Sequence, residues 1–225
     1  MYILYGGKFT RTPLVQWVLE GGGIDYELRM IDIINGEHRS NAFLSVNPFG
    51  LVPVLITPEG KTLTEVAALL LYLAERHGLS EMVPSLTSPD RGPFLSAYFH
   101  IATEIQAETK RVHFPHRYCL RQADEHGIQD QAKSLIFTRL RVLDAKLAKR
   151  GPYLLGERFS LADFYLCFWI AFLNRKAVCL QFPVIATLYD LVRSRPSAAA
   201  YLDDTERQAD TYDELIKKRP GGVIA

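Results

Sequence analysis

Residues 47–73 read NPFGLVPVLITPEGKTLTEVAALLLYL, and this stretch decides the fold that we predict. Its β-prone segments, 52–56 and 61–63, lie on either side of a Pro-Glu-Gly turn, a pattern typical of a β-hairpin. Beyond Glu65, apolar residues recur at helical spacing as far as Leu73. The stretch therefore predicts a turn, a hairpin and an amphipathic helix, in that order.

The residues before this stretch complete an α/β unit. A β-prone run at 2–5 comes first, and Thr12-Pro13 then begins a helix in which Thr12 is the expected N-cap. Residues 24–33 alternate between apolar and polar like a half-buried strand, and a weakly helical segment covers 37–46. The predicted element order of this unit is βαβαββα.

The composition changes after this unit. Residues 81–92 are rich in Ser and Pro, which predicts a linker between a first domain at 1–80 and a second domain at 93–225. Apolar spacing in the second domain follows the helical period, so we predict an all-α bundle. The predicted helices cover 93–113, 129–150, 161–173, 184–195 and 196–202, and a frayed tail covers 217–222.

Charge and cysteine content restrict the function. The 225-residue chain carries 26 basic and 25 acidic residues, so we expect neither a nucleic-acid partner nor a membrane partner. Because neither a signal peptide nor a bilayer-spanning run is evident, we expect a cytoplasmic protein. The spacing of Cys119, Cys167 and Cys179 fits neither a disulfide framework nor a metal site. We interpret them as buried thiols and expect no metal.

Three segments resemble signatures of the glutathione transferase superfamily. Residues 47–55 look like its NPxGxVPxL loop, in which the Val-Pro bond is cis, and residues 63–73 are similar to its LxESxAIxxYL segment. Residues 159–163 match the capping box of its C-terminal domain, with Ser160 as N-cap and Asp163 as its partner. The resemblance covers essentially the whole chain. It implies a thioredoxin-like α/β domain that binds glutathione, followed by an all-α helical-bundle domain that shapes a second-substrate pocket.

The resemblance implies a glutathione site around Val52, Pro53, Glu65 and Val66. A cis proline lets Val52 offer its backbone N–H and C=O to an extended peptide, although Pro53 also suits a plain strand start. Glu65 would face the cationic amino group of the γ-glutamyl moiety, or act only as a favourable charge at a helix end. Val66 replaces the usual serine, and we expect this to weaken glutathione binding by roughly 1–2 kcal/mol, about tenfold.

A further binding residue is implied by residues 36–40, which resemble the G-x-H-x-S segment of theta-like members. By that match His38 reaches the glycyl carboxylate of glutathione, with Arg39 as a substitute. The alternative is a solvated polar pair on a surface turn, which is the ordinary location of such residues.

The thiol of glutathione needs an activating group, because a pKa of ~8.5 leaves only a few per cent as thiolate at neutral pH. Residues 9–20 look like the S-R-S-x-R-V-x-W-x-L-E pattern of bacterial transferases, with Thr10, Arg11 and Thr12 at its start. Tyr5 is the rival, since it matches the strand-end tyrosine of the tyrosine-type classes. The first cysteine is Cys119, so we expect no mixed disulfide with glutathione and no cysteine-type reductase activity.

The resemblance also implies a second-substrate pocket and a subunit contact. The candidate pocket residues are Phe9, Tyr98, Ile105, His113, Phe114 and Trp169, although an aromatic stripe at helical spacing is also typical of a core. Phe49 stands where some members insert an aromatic side chain into the partner subunit. We therefore expect a homodimer.

Two functions are compatible with these patterns. The first is a detoxification enzyme, a glutathione transferase that adds the glutathione thiolate to an electrophilic, largely apolar substrate or reduces an organic hydroperoxide. The second is a non-catalytic regulatory protein of transferase fold that acts through protein contacts. Val66 favours the regulator, whereas Glu65, Val52-Pro53 and the Thr10 to Thr12 turn favour the enzyme.

Overall fold

The computed structural model describes residues 1–217. Its internal contacts divide the chain into two compact units, one of Met1–Leu79 with the residues from Asp210 onward, and one of Ser80–Ala209. The first boundary falls at the start of the predicted linker. The sequence prediction placed residues 93–225 in one domain, whereas the described residues from Asp210 to Lys217 group with the first unit.

A four-stranded sheet organises the first unit. Its strands are β1 (Tyr2–Gly6), β2 (Tyr26–Met30), β3 (Val54–Ile56) and β4 (Thr62–Leu63). They lie in the order β2-β1-β3-β4, with β1 parallel to β2 and β3 antiparallel to both of its neighbours. This mixed sheet confirms the predicted thioredoxin-like topology.

Strand β2 is shorter than predicted and lies at the edge of the sheet. The alternation over residues 24–33 predicted one buried, apolar face, but Leu28 and Met30 of that face are 37% and 54% exposed. They are paired with Leu4 and Gly6 of β1, so the alternation was read correctly. The prediction of burial was wrong because an edge strand has a neighbour on one side only.

Helices complete the first unit. They are α1 (Thr12–Gly21), α2 (Asn41–Val46), which follows a 3-10 turn at Glu37–Arg39, and α3 (Val66–Arg76). Successive strand residues point to opposite faces of a sheet. Val54 on one face clusters with Phe43 of α2, and Gly6 on the other face lies against Thr12 of α1. Helices α1 and α3 pack against each other and bury apolar residues such as Leu14 and Leu69.

Helix α1 begins at Thr12, the residue that was predicted to be its N-cap. Thr12 is the first helical residue and Arg11 holds the N-cap position, with no side-chain capping bond. The expectation that Thr12 is the N-cap was therefore wrong. Its hydroxyl is oriented toward the preceding loop, where it accepts the Gly7 N–H.

The second unit is built from helices. They are α4 (Arg91–His100), α5 (Gln106–His113), α6 (Glu125–Arg150), α7 (Leu161–Gln181), α8 (Pro183–Arg193) and the first part of α9 (Ala198–Lys217). Helices α4 and α5 are joined by a π-helical turn at Ile101–Ile105. The single helix predicted at 93–113 is thus interrupted by one wider turn, and α9 continues 15 residues beyond its predicted end at 202.

A buried capping box begins α7, as predicted. The Asp163 carboxylate accepts the Ser160 N–H at 2.7 Å, the Ser160 hydroxyl at 2.9 Å and the Leu154 N–H at 2.7 Å. Burial raises the pKa of Asp163 to about 6, although these hydrogen bonds oppose the shift. The helix passes its predicted end at 173 and is broken at Asn174, whose φ is 129° and whose Oδ1 accepts the Ala177 N–H.

The three cysteines differ in burial. Cys167 is buried, but Cys119 and Cys179 are only half-buried, so the prediction of three buried thiols was wrong for two of them. Most of the predicted tail at 217–222 lies outside the described residues. Over residues 1–217, every helix is too short or too polar to cross a bilayer.

Candidate functional site

The topology of the sheet brings the predicted site segments together at one end of the strands. Tyr5 pairs with Val54, so the end of β1 and the start of β3 lie side by side. Strand β4 is antiparallel to β3 and returns toward the same end, where α3 begins. Three segments therefore lie next to strand ends at the same end of the sheet. They are the loop of residues 7–12, Val52-Pro53 and Glu65.

The hydroxyls of Thr10 and Thr12 organise the loop of residues 7–12, which we call the hydroxyl loop. Their oxygens are 2.6 Å apart. Thr10 Oγ1 donates to the Gly7 carbonyl at 2.6 Å and accepts the Thr12 N–H at 3.2 Å. Thr12 Oγ1 accepts the Gly7 N–H at 3.0 Å. The loop is therefore closed on itself through the two threonine side chains.

The number of available protons shows which of the two hydroxyls donates to the other. Each threonine hydroxyl can donate one proton. Because the Thr10 proton goes to the Gly7 carbonyl, the contact between the hydroxyls uses the Thr12 proton, and Thr10 Oγ1 accepts it. Thr10 is half-buried, whereas Thr12 is 2% exposed. Thr10 is thus the more exposed residue of the pair, and the buried Thr12 hydroxyl donates to it.

Two glycines make this arrangement possible. A Cβ on Gly6 would lie 2.3 Å from Thr12 Cγ2, and one on Gly7 would lie 2.4 Å from the Ile31 carbonyl oxygen. Neither distance is compatible with a side chain, because both are far inside van der Waals contact. From the sequence alone, neither glycine was assigned a role. Their adjacency to a threonine-rich turn was the signal for a closer role.

Phe9 sits in the hydroxyl loop with φ of 62°, in the left-handed region. The left-handed conformation costs a non-glycine residue roughly 1–2 kcal/mol of conformational free energy. Its ring lies 5.7 Å from that of Tyr212, which is 2% exposed and belongs to the same unit. Sequence reasoning did not single out Tyr212, because it lies beyond the predicted end of its helix. The role of Phe9 in a second-substrate pocket stays a prediction.

The Tyr5 hydroxyl interacts with β2. Arg29 Nη1 donates to Tyr5 Oη at 2.9 Å, and the same guanidinium pairs with Glu27 at 2.8 Å. The Tyr5 ring packs edge-on against Phe43. Since Tyr5 and Gly6 are successive strand residues, the Tyr5 side chain points to the face opposite the Gly6 contact with Thr12. Tyr5, the alternative activating residue, is thus hydrogen-bonded to Arg29, and its side chain lies on the face of β1 opposite the Gly6 contact with Thr12.

The Val52-Pro53 bond is cis, as the resemblance implied. Both residues are buried, and Val52 belongs to the cluster on the α2 face of the sheet. The turn before them is held by Asn47, whose Nδ2 donates to the Leu51 carbonyl at 2.7 Å and whose Oδ1 accepts the Phe49 N–H at 3.2 Å. A buried asparagine side chain therefore shapes the approach to the predicted peptide-binding backbone.

Glu65 has an unusual backbone and an exposed side chain. Its φ is 66° and its ψ is 106°, although it is not a glycine. It holds the N-cap position of α3, but its carboxylate makes no capping bond. Strain of this kind is concentrated at functional sites. Val66, the first residue of α3, is 2% exposed, so the position usually held by serine is filled with buried apolar atoms.

His38 and Arg39 lie beside the turn that precedes Val52. The side chain of His38 is buried, which differs from the alternative of a solvated surface turn. Arg39 Nη1 contacts the Phe49 carbonyl at 3.5 Å. Gly50 has φ of 61°, and a Cβ there would lie 2.9 Å from both Arg39 Nη1 and the His38 carbonyl oxygen. The structure thus joins residues 38–39 to the turn at 49–50.

The other pocket candidates belong to the second unit. Tyr98 and Ile105 have no exposed surface, and Tyr98 stacks on Phe94, which is the behaviour of core residues. The His113 ring lies 4.6 Å from Phe172, which in turn contacts Trp169 edge-on. Phe114 follows α5 and lies under the Arg117 guanidinium, 4.4 Å from it. Their role in binding a second substrate stays a prediction.

Fold and site together define a class of protein. A thioredoxin-like unit with a cis proline and a strained glutamate at one end of its sheet precedes a helical unit with a buried capping box. Family models for the N-terminal and C-terminal domains of glutathione S-transferases match residues 15–76 and 120–205. The chain belongs to the glutathione transferase superfamily.

Individual relatives agree with this assignment. A glutathione S-transferase of Arabidopsis thaliana is 29% identical over 203 residues, covering 87% of this chain and 75% of that protein. A maleylacetoacetate isomerase of Pseudomonas aeruginosa is 28% identical and covers 88% of this chain and 92% of its own. The crystal structure of a glutathione transferase homologue from Sulfitobacter with bound glutathione has a TM-score of 0.79 at 28% identity, covering 90% and 97% of the two chains.

Proposed function

We propose that this protein is an enzyme that binds glutathione, holds it as the thiolate and adds the sulfur to an electrophilic, largely apolar substrate. The observation that carries the proposal is the pair of stacked hydroxyls at Thr10 and Thr12, 2.6 Å apart, beside the start of α1. The half-buried Thr10 oxygen is held in place by a second, buried hydroxyl, so only its proton has to turn for it to donate to an anion.

Thr10 is the residue that we assign to the sulfur. When the thiolate binds, the Thr10 proton turns from the Gly7 carbonyl to the sulfur, while Thr12 continues to donate to Thr10 Oγ1. The second bond polarises the first, because chained hydrogen bonds strengthen one another. Lowering the thiol pKa by one unit requires ~1.4 kcal/mol of preferential interaction with the thiolate, which lies within the range of a hydrogen bond to a charged group.

Glutathione itself is assigned to the same end of the sheet. The Val52 backbone pairs with the peptide, the Glu65 carboxylate pairs with its amino group, and the first amides of α3 take the γ-glutamyl carboxylate. His38 and Arg39 take the glycyl carboxylate. The strained and exposed Glu65, whose carboxylate does not cap its own helix, supports this assignment.

The reaction conserves atoms and charge. The thiolate sulfur forms a bond to carbon, and either a leaving group departs with its bonding electrons or an activated double bond takes up one proton. With a hydroperoxide, the sulfur instead takes the terminal oxygen and releases an alcohol, and a second glutathione then yields the disulfide and water. Both routes begin from the same thiolate, and the carbon route is our first assignment.

A substrate panel tests the proposed activity. The purified protein and glutathione are combined with an activated aryl halide, an activated cis alkene and an aromatic hydroperoxide. The alkene is included because one relative is named an isomerase. We expect turnover of at least one carbon electrophile above the uncatalysed rate. Glutathione binding without turnover of any compound would contradict the proposed activity and favour the non-catalytic regulator instead.

We further propose that the protein is a cytoplasmic homodimer. The observation that supports self-association is the turn before Val52, where Phe49 is 73% exposed and Leu51 is 48% exposed. Adjacent exposed apolar side chains of this size are costly in water unless another surface covers them. A two-fold axis would let the same turn serve both subunits.

A further inference from the structure

Phe9 and Tyr212 form a contact that the proposed reaction does not use. The rings lie 5.7 Å apart with a 45° tilt. One belongs to the hydroxyl loop near the start of the chain, and the other to α9 near its end. Both are in the first unit, because the described residues from Asp210 to Lys217 cluster with Met1–Leu79.

The backbone at Phe9 makes this contact more than ordinary packing. With φ of 62°, Phe9 has a conformation that glycine adopts without penalty and that a bulky residue rarely adopts. This conformation turns the chain so that the next residue, Thr10, reaches back to the Gly7 carbonyl. An aromatic residue at such a position must be held there by its surroundings.

We infer that Tyr212 is a positioning residue, which holds Phe9 in its left-handed conformation and thereby orients the Thr10 hydroxyl. Tyr212 is 2% exposed, so its ring is fixed by packing and presents a rigid surface to Phe9. Residue 212 of helix α9 in this way contacts and positions the hydroxyl loop. The inference deepens the proposed function and rests on it for its catalytic consequence only.

Whether Tyr212 holds the hydroxyl loop in place can be measured without glutathione. Hydrogen exchange of the Gly7 and Thr12 amides reports on the hydroxyl loop, because each donates to a threonine hydroxyl. In Tyr212→Ala we expect both amides to exchange at least ~10-fold faster, while the β1 amides exchange as before. Tyr212→Phe keeps the ring and should match the parent protein. Tyr201→Ala, three turns earlier in α9, should leave both amides unchanged.

A second variant separates positioning from simple loss of packing. Glycine adopts the left-handed conformation at no cost, so in Phe9→Gly the loop no longer depends on Tyr212. Adding Tyr212→Ala to Phe9→Gly should therefore change exchange at Gly7 and Thr12 by less than ~2-fold. If Tyr212→Ala does not fold, Tyr212→Leu, which is smaller but still apolar, takes its place in the same comparison.

The catalytic part is a pH profile. In Tyr212→Ala, the apparent pKa of the glutathione thiol in the kcat profile should rise by about one unit. Glutathione binding by calorimetry, at a pH below the bound thiol pKa, should change less than ~3-fold. Unchanged exchange at Gly7 and Thr12 in a folded Tyr212→Ala, or additive effects of the two variants, would overturn the inference. Absence of glutathione binding by the parent protein would overturn the proposed function, while the exchange result still decides whether Tyr212 positions the loop.

Discussion

Thr10 Oγ1 lies 2.6 Å from Thr12 Oγ1, and the proton count assigns the donated hydrogen to Thr12. The relationship is unequal, because Thr12 is buried and bound to the Gly7 amide, while Thr10 is half-exposed. Under the proposed function, an anion accepts the Thr10 proton while the hydrogen bond from Thr12 to Thr10 stays in place. We therefore propose different roles for the two residues, with Thr10 as the donor to the sulfur and Thr12 as the group that holds the Thr10 oxygen in place.

Replacement of Thr10 tests the donor directly. Thr10→Val keeps the shape but removes the proton, and we expect kcat/KM to fall by about 10²–10³-fold, with glutathione affinity nearly unchanged. Thr10→Ser restores the hydroxyl and should recover activity to within about tenfold of the parent. Steady-state kinetics with the best electrophile of the panel measure both. Activity of Thr10→Val within twofold of the parent would assign the donor elsewhere.

Gly6→Ala tests the close approach that seats Thr12. Its Cβ would lie 2.3 Å from Thr12 Cγ2, so the free energy of unfolding should fall by about 1–3 kcal/mol through overpacking. Urea unfolding followed by circular dichroism gives this value. Gly127→Ala in α6 is the matched control, because a Cβ there meets no atom within 4 Å and alanine favours a helix. Equal stability of the two variants would refute the packing argument.

Val66→Ser restores the residue that the family usually has at the start of α3. We expect glutathione to bind roughly tenfold more tightly, because a hydroxyl near the γ-glutamyl carboxylate adds a hydrogen bond to a charged group. Loss of a buried valine should at the same time lower stability by about 1–2 kcal/mol. Titration calorimetry measures the first effect and urea unfolding the second. Weaker binding in the serine variant would argue against this position as part of the site.

The Asp163 carboxylate makes stability depend on pH. Burial raises its pKa to about 6 in the folded protein, above the ordinary value of 3.8. The folded state thus binds more protons between these values, so this group's contribution to the free energy of unfolding decreases as pH rises from about 4 to 6. The change should be on the order of 3 kcal/mol at most. Asp163→Asn should flatten the slope of unfolding free energy over this interval, and a parent protein with no such slope would contradict the prediction.

Phe49→Ser tests the subunit contact. Sedimentation velocity at micromolar concentration should show a dimer for the parent and a monomer for the variant, since the aromatic side chain loses its covering surface. Leu86→Ser is the control, because Leu86 is 79% exposed but lies outside the turn. A Phe49→Ser variant that stays dimeric would remove this residue from the interface.

Much of the fold was predictable because its signals are local. The hairpin at 52–63, the helix after Glu65 and the box at Ser160 and Asp163 each depend on residues close in sequence, and each was confirmed. The length of α9 was missed because residues 203–217 are mostly polar and show little apolar periodicity. The break at Asn174 was missed because it depends on a side chain that caps the following turn.

The site was less predictable, because its roles depend on contacts between distant residues. The residue types at 10–12 suggested an activating turn, but the division of roles between Thr10 and Thr12 depends on how closely Gly6 and Gly7 approach them. The engagement of Tyr5 with Arg29 requires the pairing of β1 with β2. Local sequence patterns carry no information about either contact.

Calorimetric titration of glutathione in two buffers of different ionisation enthalpy tests the central claim most directly. If Thr10 lowers the bound thiol pKa by about one unit, binding should release about half a proton at a pH midway between the bound and free thiol pKa values. S-methylglutathione, which has no thiol proton, should bind without release. Thr10→Val should bind glutathione with less proton release. No binding heat at millimolar glutathione, or equal proton release with both ligands, would contradict the account.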